Sequence, residues 1–184
     1  MLPDPVSPYT DLRPFIVHGH DHVLRDDLRN LLIELGTQSP IVLDGQANVG
    51  QTIIEKFESE SDRCNLAVVL ITPDDQVVMP GGAEYASARP NVWIELGYFL
   101  AKFGRKSGRI ILVYKKPAQI PSDLQGILYI DATLGLTGLV RDRLEGELNG
   151  IVTTGEIPES HSAMFPAGAD YSVRGRLFIV PDPT

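Results

Sequence analysis

Cysteine is almost missing: Cys64 is alone in 184 residues. That excludes an intrachain disulfide, and with it the small secreted scaffolds held together by bridges. Basic charge is also scarce. Sixteen Lys and Arg face 24 Asp and Glu, a formal net charge of −8, which argues against a nucleic-acid groove with its basic footprint. No apolar run approaches the roughly 20 residues of a membrane span. The start, "MLPDPVSPYTDLRP", has prolines and acids where a signal peptide carries a basic segment and an apolar run. Walker, G-x-G-x-x-G and G-x-S-x-G motifs are all missing. These absences point to a soluble cytoplasmic chain without a nucleic-acid or membrane partner.

What is present is ordinary globular material: 43% hydrophobic and 22% charged residues, enough for one domain core. Residues 1–13 are Pro-rich and polar and read as an extended arm. "RPFIVHGHD" is a short buried strand running into a loop. Leu24, Leu28, Leu31, Leu32 and Leu35 fall on one helical face, and Gly36 suits the helix stop. "PIVLD" is a second strand and "GQANVGQ" a loop. Thr52 and Glu55 have capping-box spacing at the start of "TIIEKFESES". "NLAVVLITPDD" is a continuous β-branched strand, buried on both faces. Residues 76–88 read as a long Gly-containing loop. The stretch "RPNVWIELGYFLAKF" is the next helix, with Pro90 suited to its first turn. "RIILVYKK" and "GILYID" are further strands. "LTGLVRDRLEGELNG" closes the unit as an amphipathic helix through Leu136, Leu139, Val140, Leu144 and Leu148. Residues 151–184 differ in composition and read as a C-terminal tail or the start of a sensor domain.

Strand and helix alternate over residues 14–150. This predicts an α/β domain with a flavodoxin-like, parallel four- to five-stranded sheet and helices on both faces. Ligands in such sheets bind outside the carboxyl ends of the strands. Those ends carry His18, Gly19, His20 and Asp21, then Asp44, then Asp74 and Asp75, then Lys115 and Lys116. The helix containing Glu95 begins on the same rim.

The "HGHDH" run at 18–22 invites a metal reading, but the spacing lacks a residue relative to H-x-H-x-D-H, and the remaining histidine, His161, lies far along the chain. The plainer reading makes Asp21 a helix N-cap, with His18 and Gly19 lining a nucleotide pocket. No metal site is expected. A phosphate-receiver reading fails because histidines stand where an acidic pair is needed to hold magnesium.

Glu95 sits at the margin of the stripe formed by Val92, Leu96, Phe99, Leu100 and Phe103. A surface glutamate, or one paired with Arg89 or Lys102, would be unremarkable there. A carboxylate partly desolvated at a binding rim is also where functional acids tend to lie.

Four ordered motifs, "FIVHGHD", "PIVLDGQANVGQTIIEKFE", "AVVLITPDD" and "NVWIELGYFLAKFGR", resemble the TIR-like domains of bacterial antiphage immunity, the type found in cyclic-oligonucleotide systems and TIR–STING effectors. The resemblance covers roughly residues 14–131. It implies a TIR fold and NAD⁺ glycohydrolase activity, with NAD⁺ as substrate and no separate cofactor. It places the catalytic glutamate on Glu95. It also implies a mobile loop over residues 44–51, including Asp44 and Asn48, that gates the pocket and joins subunits. Trp93 is a candidate for stacking on a substrate ring or packing a subunit contact, and Arg89 for meeting the pyrophosphate. His18, Asp74 and Asp75 are weaker pocket candidates. Implied partners are further copies of the chain in an oligomer or filament, and a cyclic-nucleotide sensor domain or chain. The alternatives left open are a non-catalytic assembly or nucleotide-binding module and an N-glycosidase acting on another nucleotide.

Overall fold

The computed structural model describes residues 7–43, 52–124 and 126–154. Strand β1, Pro14–Val17, is central to a five-stranded sheet that also contains β2 (Ile41–Val42) and β3 (Leu66–Ile71). Past the hairpin strands β4 (Asp75–Val78) and β5 (Glu84–Ser87) come its last members, β6 (Ile110–Tyr114) and β7 (Tyr129–Asp131). The spatial order is β2-β1-β3-β6-β7 and every pairing in the sheet is parallel. This is the doubly wound order expected from the alternation of elements.

The pleat divides each central strand between two apolar layers. From β3, Leu66, Val68 and Leu70 join one core with helices α1 (His22–Leu35) and α4 (Gly138–Thr153). Ala67, Val69 and Ile71 face the other, with α2 (Ile53–Ser61) and α3 (Pro90–Phe103). All six residues are essentially inaccessible to solvent, so the unbroken apolar run follows from burial on both faces.

Local signals act as their chemistry requires. The Asp21 carboxylate accepts from the Leu24 amide at 3.0 Å and caps α1. Gly36 ends that helix in the left-handed region, φ 97°. Thr52 and Glu55 form a reciprocal capping box. Cys64 is buried, and loss of hydration pushes its thiol up to about 12, so it is packing material and not a nucleophile.

Several expectations are corrected. Residues 76–88 are not a plain loop: β4 and β5 pair antiparallel, with Gly81 and Gly82 at positive φ in the turn. The strands lacked an apolar signature because only Ser87 of the eight residues is buried. The described part of the supposed extended arm is a turn. It buries Tyr9 and Leu12, and the Ser7 hydroxyl donates to the Leu35 carbonyl at 3.0 Å. Helix α4 continues past residue 150, with Ile151 in the core, whereas Leu139 is exposed. The predicted loop at 44–51 and the segment 155–184 lie outside the described residues.

Candidate active site

A cavity of about 200 Å³ opens at the carboxyl end of β1, beside the start of α3. Phe15 and Ile16 of β1, and Leu43 just after β2, form its apolar side. His18, Gly19 and His20 contribute from the turn between β1 and α1, and His22 from the first residue of α1. Arg89, Asn91 and Glu95 contribute from the entry and first turns of α3. The position follows from topology: β1 is where successive connections leave in opposite directions along the sheet, opening a crevice at the strand ends.

Four of the residues singled out in the sequence therefore meet: His18, Gly19, Arg89 and Glu95. Glu95 is half-buried. Desolvation raises its carboxyl to about 7, while a hydrogen bond from the Asn91 side chain, one turn earlier, acts in the opposite direction. The carboxyl lies outside every ion pair found among the described residues. Arg89 and Lys102, the cations within helical reach, are engaged elsewhere. Arg89 bonds to the His20 ring. Lys102 bonds to the Ser61 carbonyl at 2.6 Å and Asp62 at 2.8 Å.

Gly19 lines the cavity and also makes room behind it: a Cβ there would lie 1.9 Å from Asp74 Oδ2, so the missing side chain admits the Asp74 carboxylate against the turn. Asp74 also accepts from the Thr72 hydroxyl at 2.7 Å. It buttresses the back of the pocket turn, and neither it nor Asp75, which opens β4, lines the cavity. Trp93 is likewise outside. Its indole N–H donates to Ser87 Oγ (3.2 Å) and the Ala88 carbonyl (3.1 Å), and the ring packs on the α3 core. The reason is local: β5 ends immediately before α3 and brings two acceptors under the ring. Asp44 and Asn48 lie outside the described residues.

The histidines do not assemble as metal ligands. His22 Nδ1 is 2.9 Å from the Arg25 guanidinium, and His18 Nδ1 is 2.8 Å from the Gly19 carbonyl oxygen. Among the described residues no three His, Cys, Asp or Glu side chains converge. Asp21, besides capping α1, pairs with Lys115 at 2.6 Å, and this keeps its carboxyl below the usual range despite partial burial. Sequence reasoning missed Asn91. Its signal was present as an i, i+4 relation to Glu95.

With this geometry in place, the comparisons with known proteins become informative. The family described as "CAP12/Pycsar effector protein, TIR domain" matches residues 13–133. The chain belongs to this TIR family. It is 41% identical to the uncharacterized protein YuaY of Escherichia coli K12 over 118 residues, covering 64% of this chain and 38% of that one. It is 37% identical to protein tirC of Dictyostelium discoideum over 147 residues, covering 75% and 70%. It is 33% identical to the Pycsar effector protein BcPycTIR of Burkholderia cepacia over 86 residues, covering 47% and 28%. The chain thus spans well under half the length of two of these three relatives. No helix among the described residues is long and apolar enough to cross a membrane.

Proposed function

We propose that this TIR domain is an NAD⁺ glycohydrolase that acts as an antiphage effector and is switched on by self-association. The observation that carries the catalytic reading is Glu95, half-buried on a cavity wall, with a carboxyl raised to about 7 and no cation paired with it among the described residues. Its kinship with Pycsar effector proteins supports the defence role.

The chemistry suits a lone carboxylate. Ordinary glycosidases need a second acid to protonate a poor leaving oxygen. In NAD⁺ the nicotinamide ring is already cationic. When its bond to ribose C1′ breaks, the electron pair moves onto the ring nitrogen and nicotinamide leaves neutral. Positive charge is then left on the ribose as an oxocarbenium-like ion. Ionised Glu95 stabilises that charge and accepts hydrogen bonds from the ribose hydroxyls. Water adds at C1′ and gives up a proton to leave ADP-ribose. Partial desolvation strengthens the interaction, since a half-buried carboxylate acts through a lower effective dielectric than one in open water.

Self-association is supported by exposed isoleucines near the starts of two helices. Phe57 packs on Tyr98, and Ser61 bonds to Tyr98 and Lys102, so α2 and α3 run side by side. Ile53 and Ile54 at the start of α2 and Ile94 in the first turns of α3 are 72%, 69% and 73% exposed. Three isoleucines in water at adjacent helix starts suit a contact between copies.

The test is nicotinamide release from NAD⁺ as protein concentration rises. Wild type is expected to show a steep increase. Glu95→Gln, with folding checked by circular dichroism, is expected to lose at least ~10²–10³-fold, as when one electrostatic group is removed. Wild-type turnover by that variant would refute the assignment.

A further inference from the structure

We infer that His22 is a neutral hydrogen-bond donor that reads the carbonyl oxygen of the nicotinamide carboxamide, held in that role by Arg25. The inference rests on the glycohydrolase reading above and adds the residue that selects the leaving base.

The first observation is a fixed proton. His22, the first residue of α1, lines the cavity, and its Nδ1 is 2.9 Å from Arg25 Nη1. A guanidinium only donates, so Nδ1 accepts and the proton of the neutral ring sits on Nε2. Arg25 is itself fixed. Its side chain is 10% exposed, and its Nε bonds to the Asp26 carboxylate at 2.9 Å. While the bond to Arg25 stands, Nδ1 has no lone pair to spare for a proton, so His22 acts as a donor and not as a base.

The second observation is orientation. The two nitrogens of an imidazole lie on opposite sides of the ring. With Nδ1 turned in to a buried arginine, the Nε2 edge is the outward one, and His22 as a whole is exposed. Among the described residues no protein acceptor takes up that N–H. The His18 ring packs against it edge-on, with centroids 5.7 Å apart and planes at 68°, which sets the plane of the His22 ring. Other polar groups of the wall are bonded to each other: His18 Nδ1 donates to the Gly19 carbonyl, Arg89 to His20, and the Asn91 side chain to Glu95.

The third observation is size. A cavity of about 200 Å³ falls below the roughly 300 Å³ at which pockets for drug-sized ligands begin, so one end of a dinucleotide enters it. With Glu95 acting at C1′, that end is the nicotinamide riboside. Phe15, Ile16 and Leu43 offer an apolar side to the flat pyridine ring. The carboxamide oxygen is an acceptor and calls for a donor. A cationic donor would repel the ring, which is positively charged until its bond to C1′ breaks. His22 supplies the N–H without adding charge, and the charge of Arg25 behind it is met by Asp26.

The experiment is calorimetric binding of three pyridines to the full chain, with no turnover involved: nicotinamide, 3-acetylpyridine, which keeps the carbonyl, and 3-methylpyridine, which lacks it. Wild type is expected to bind the first two about three- to tenfold more tightly than the third, the worth of one neutral hydrogen bond. His22→Ala, with folding checked by circular dichroism, should erase that preference and leave 3-methylpyridine unchanged. His22→Gln, whose amide keeps a donor, should restore the preference. Equal binding of the three by wild type, binding of none, or a preference that survives in His22→Ala would overturn the inference. An equal loss of all three in His22→Ala would overturn it too, because that marks a structural role. A His22-dependent preference in a protein that never releases nicotinamide from NAD⁺ would keep the subsite and remove the glycohydrolase, and NAD⁺ cleavage without the preference would do the reverse.

Discussion

Helix α3 is two helices in physical terms, and the contrast between its halves locates the site. In its second half every strong group is satisfied. Phe99 is wholly buried among Phe15, Phe57 and Phe103. Tyr98 shares a hydrogen bond with Ser61 at 2.9 Å, and Lys102 caps the end of α2. In its first half, among the described residues, Arg89 has a donor without an acceptor, the N-terminus lacks a side-chain cap, and Glu95 is desolvated without a cation. One half is arranged for stability. The other carries costs of the kind that gather at functional sites.

The comparison can be tested from its stable side first. Phe99→Ala should destabilise the domain by about 3–5 kcal/mol, the usual range for a buried Phe. Denaturant unfolding measures it, and a cost below about 1 kcal/mol would mean the aromatic cluster is not the anchor described.

On the functional side, the pH profile is the next largest effect. Activity that needs ionised Glu95 should rise about tenfold per pH step below 7 and level off above, because the group ionises near 7. A kcat/KM flat between about pH 5 and 7 would remove the carboxylate from the rate expression.

Stability should move in the opposite direction. The Glu95 carboxyl is raised from 4.5 in the unfolded chain to about 7 in the fold. Its neutral form is preferred in the folded state, so its stabilising influence is complete below pH 4.5 and is lost as pH rises through 7. Glu95→Gln removes that loss and should stabilise the domain at pH 8 on the order of 2 kcal/mol, allowing for partial solvent contact. Little gain is expected at pH 4. Thermal unfolding at the two pH values reads the difference directly.

The smallest effect should come from Lys102→Met, which keeps the buried stem and removes the ammonium. A cost of about 1 kcal/mol is expected, since Asp62 is exposed and only the Ser61 carbonyl loses a close donor. A stabilisation like that of Glu95→Gln would erase the distinction between the halves.

Much of the fold was legible because it depends on short-range rules. β3 declared itself through six consecutive apolar residues, α1 through its leucine spacing, and the helix ends through Asp21, Gly36 and the Thr52–Glu55 box. The β4–β5 hairpin was not legible, since its stability comes from a glycine turn and edge pairing and not from an apolar alternation. Glu95 could be read as marginal to the buried stripe. Whether it would be paired could not be, because Arg89 and Lys102 lie six and seven residues away on either side of it. Trp93 was a candidate for stacking or a subunit contact, and the chain alone does not show that the end of β5 brings Ser87 and Ala88 to its indole N–H.

The sequence by itself determined the family, the alternation of strand and helix, and the single carboxylate in an apolar helix. Periodicity, capping chemistry and motif order are properties of the chain alone. Only the tertiary structure decided that Lys102 would be drawn to the end of α2, that Gly19 would make room for Asp74, and that Arg89 would meet His20. Those outcomes depend on which groups of separate elements the fold brings within reach of one another. They leave Glu95 half-buried, without a partner cation among the described residues, and on the wall of a cavity.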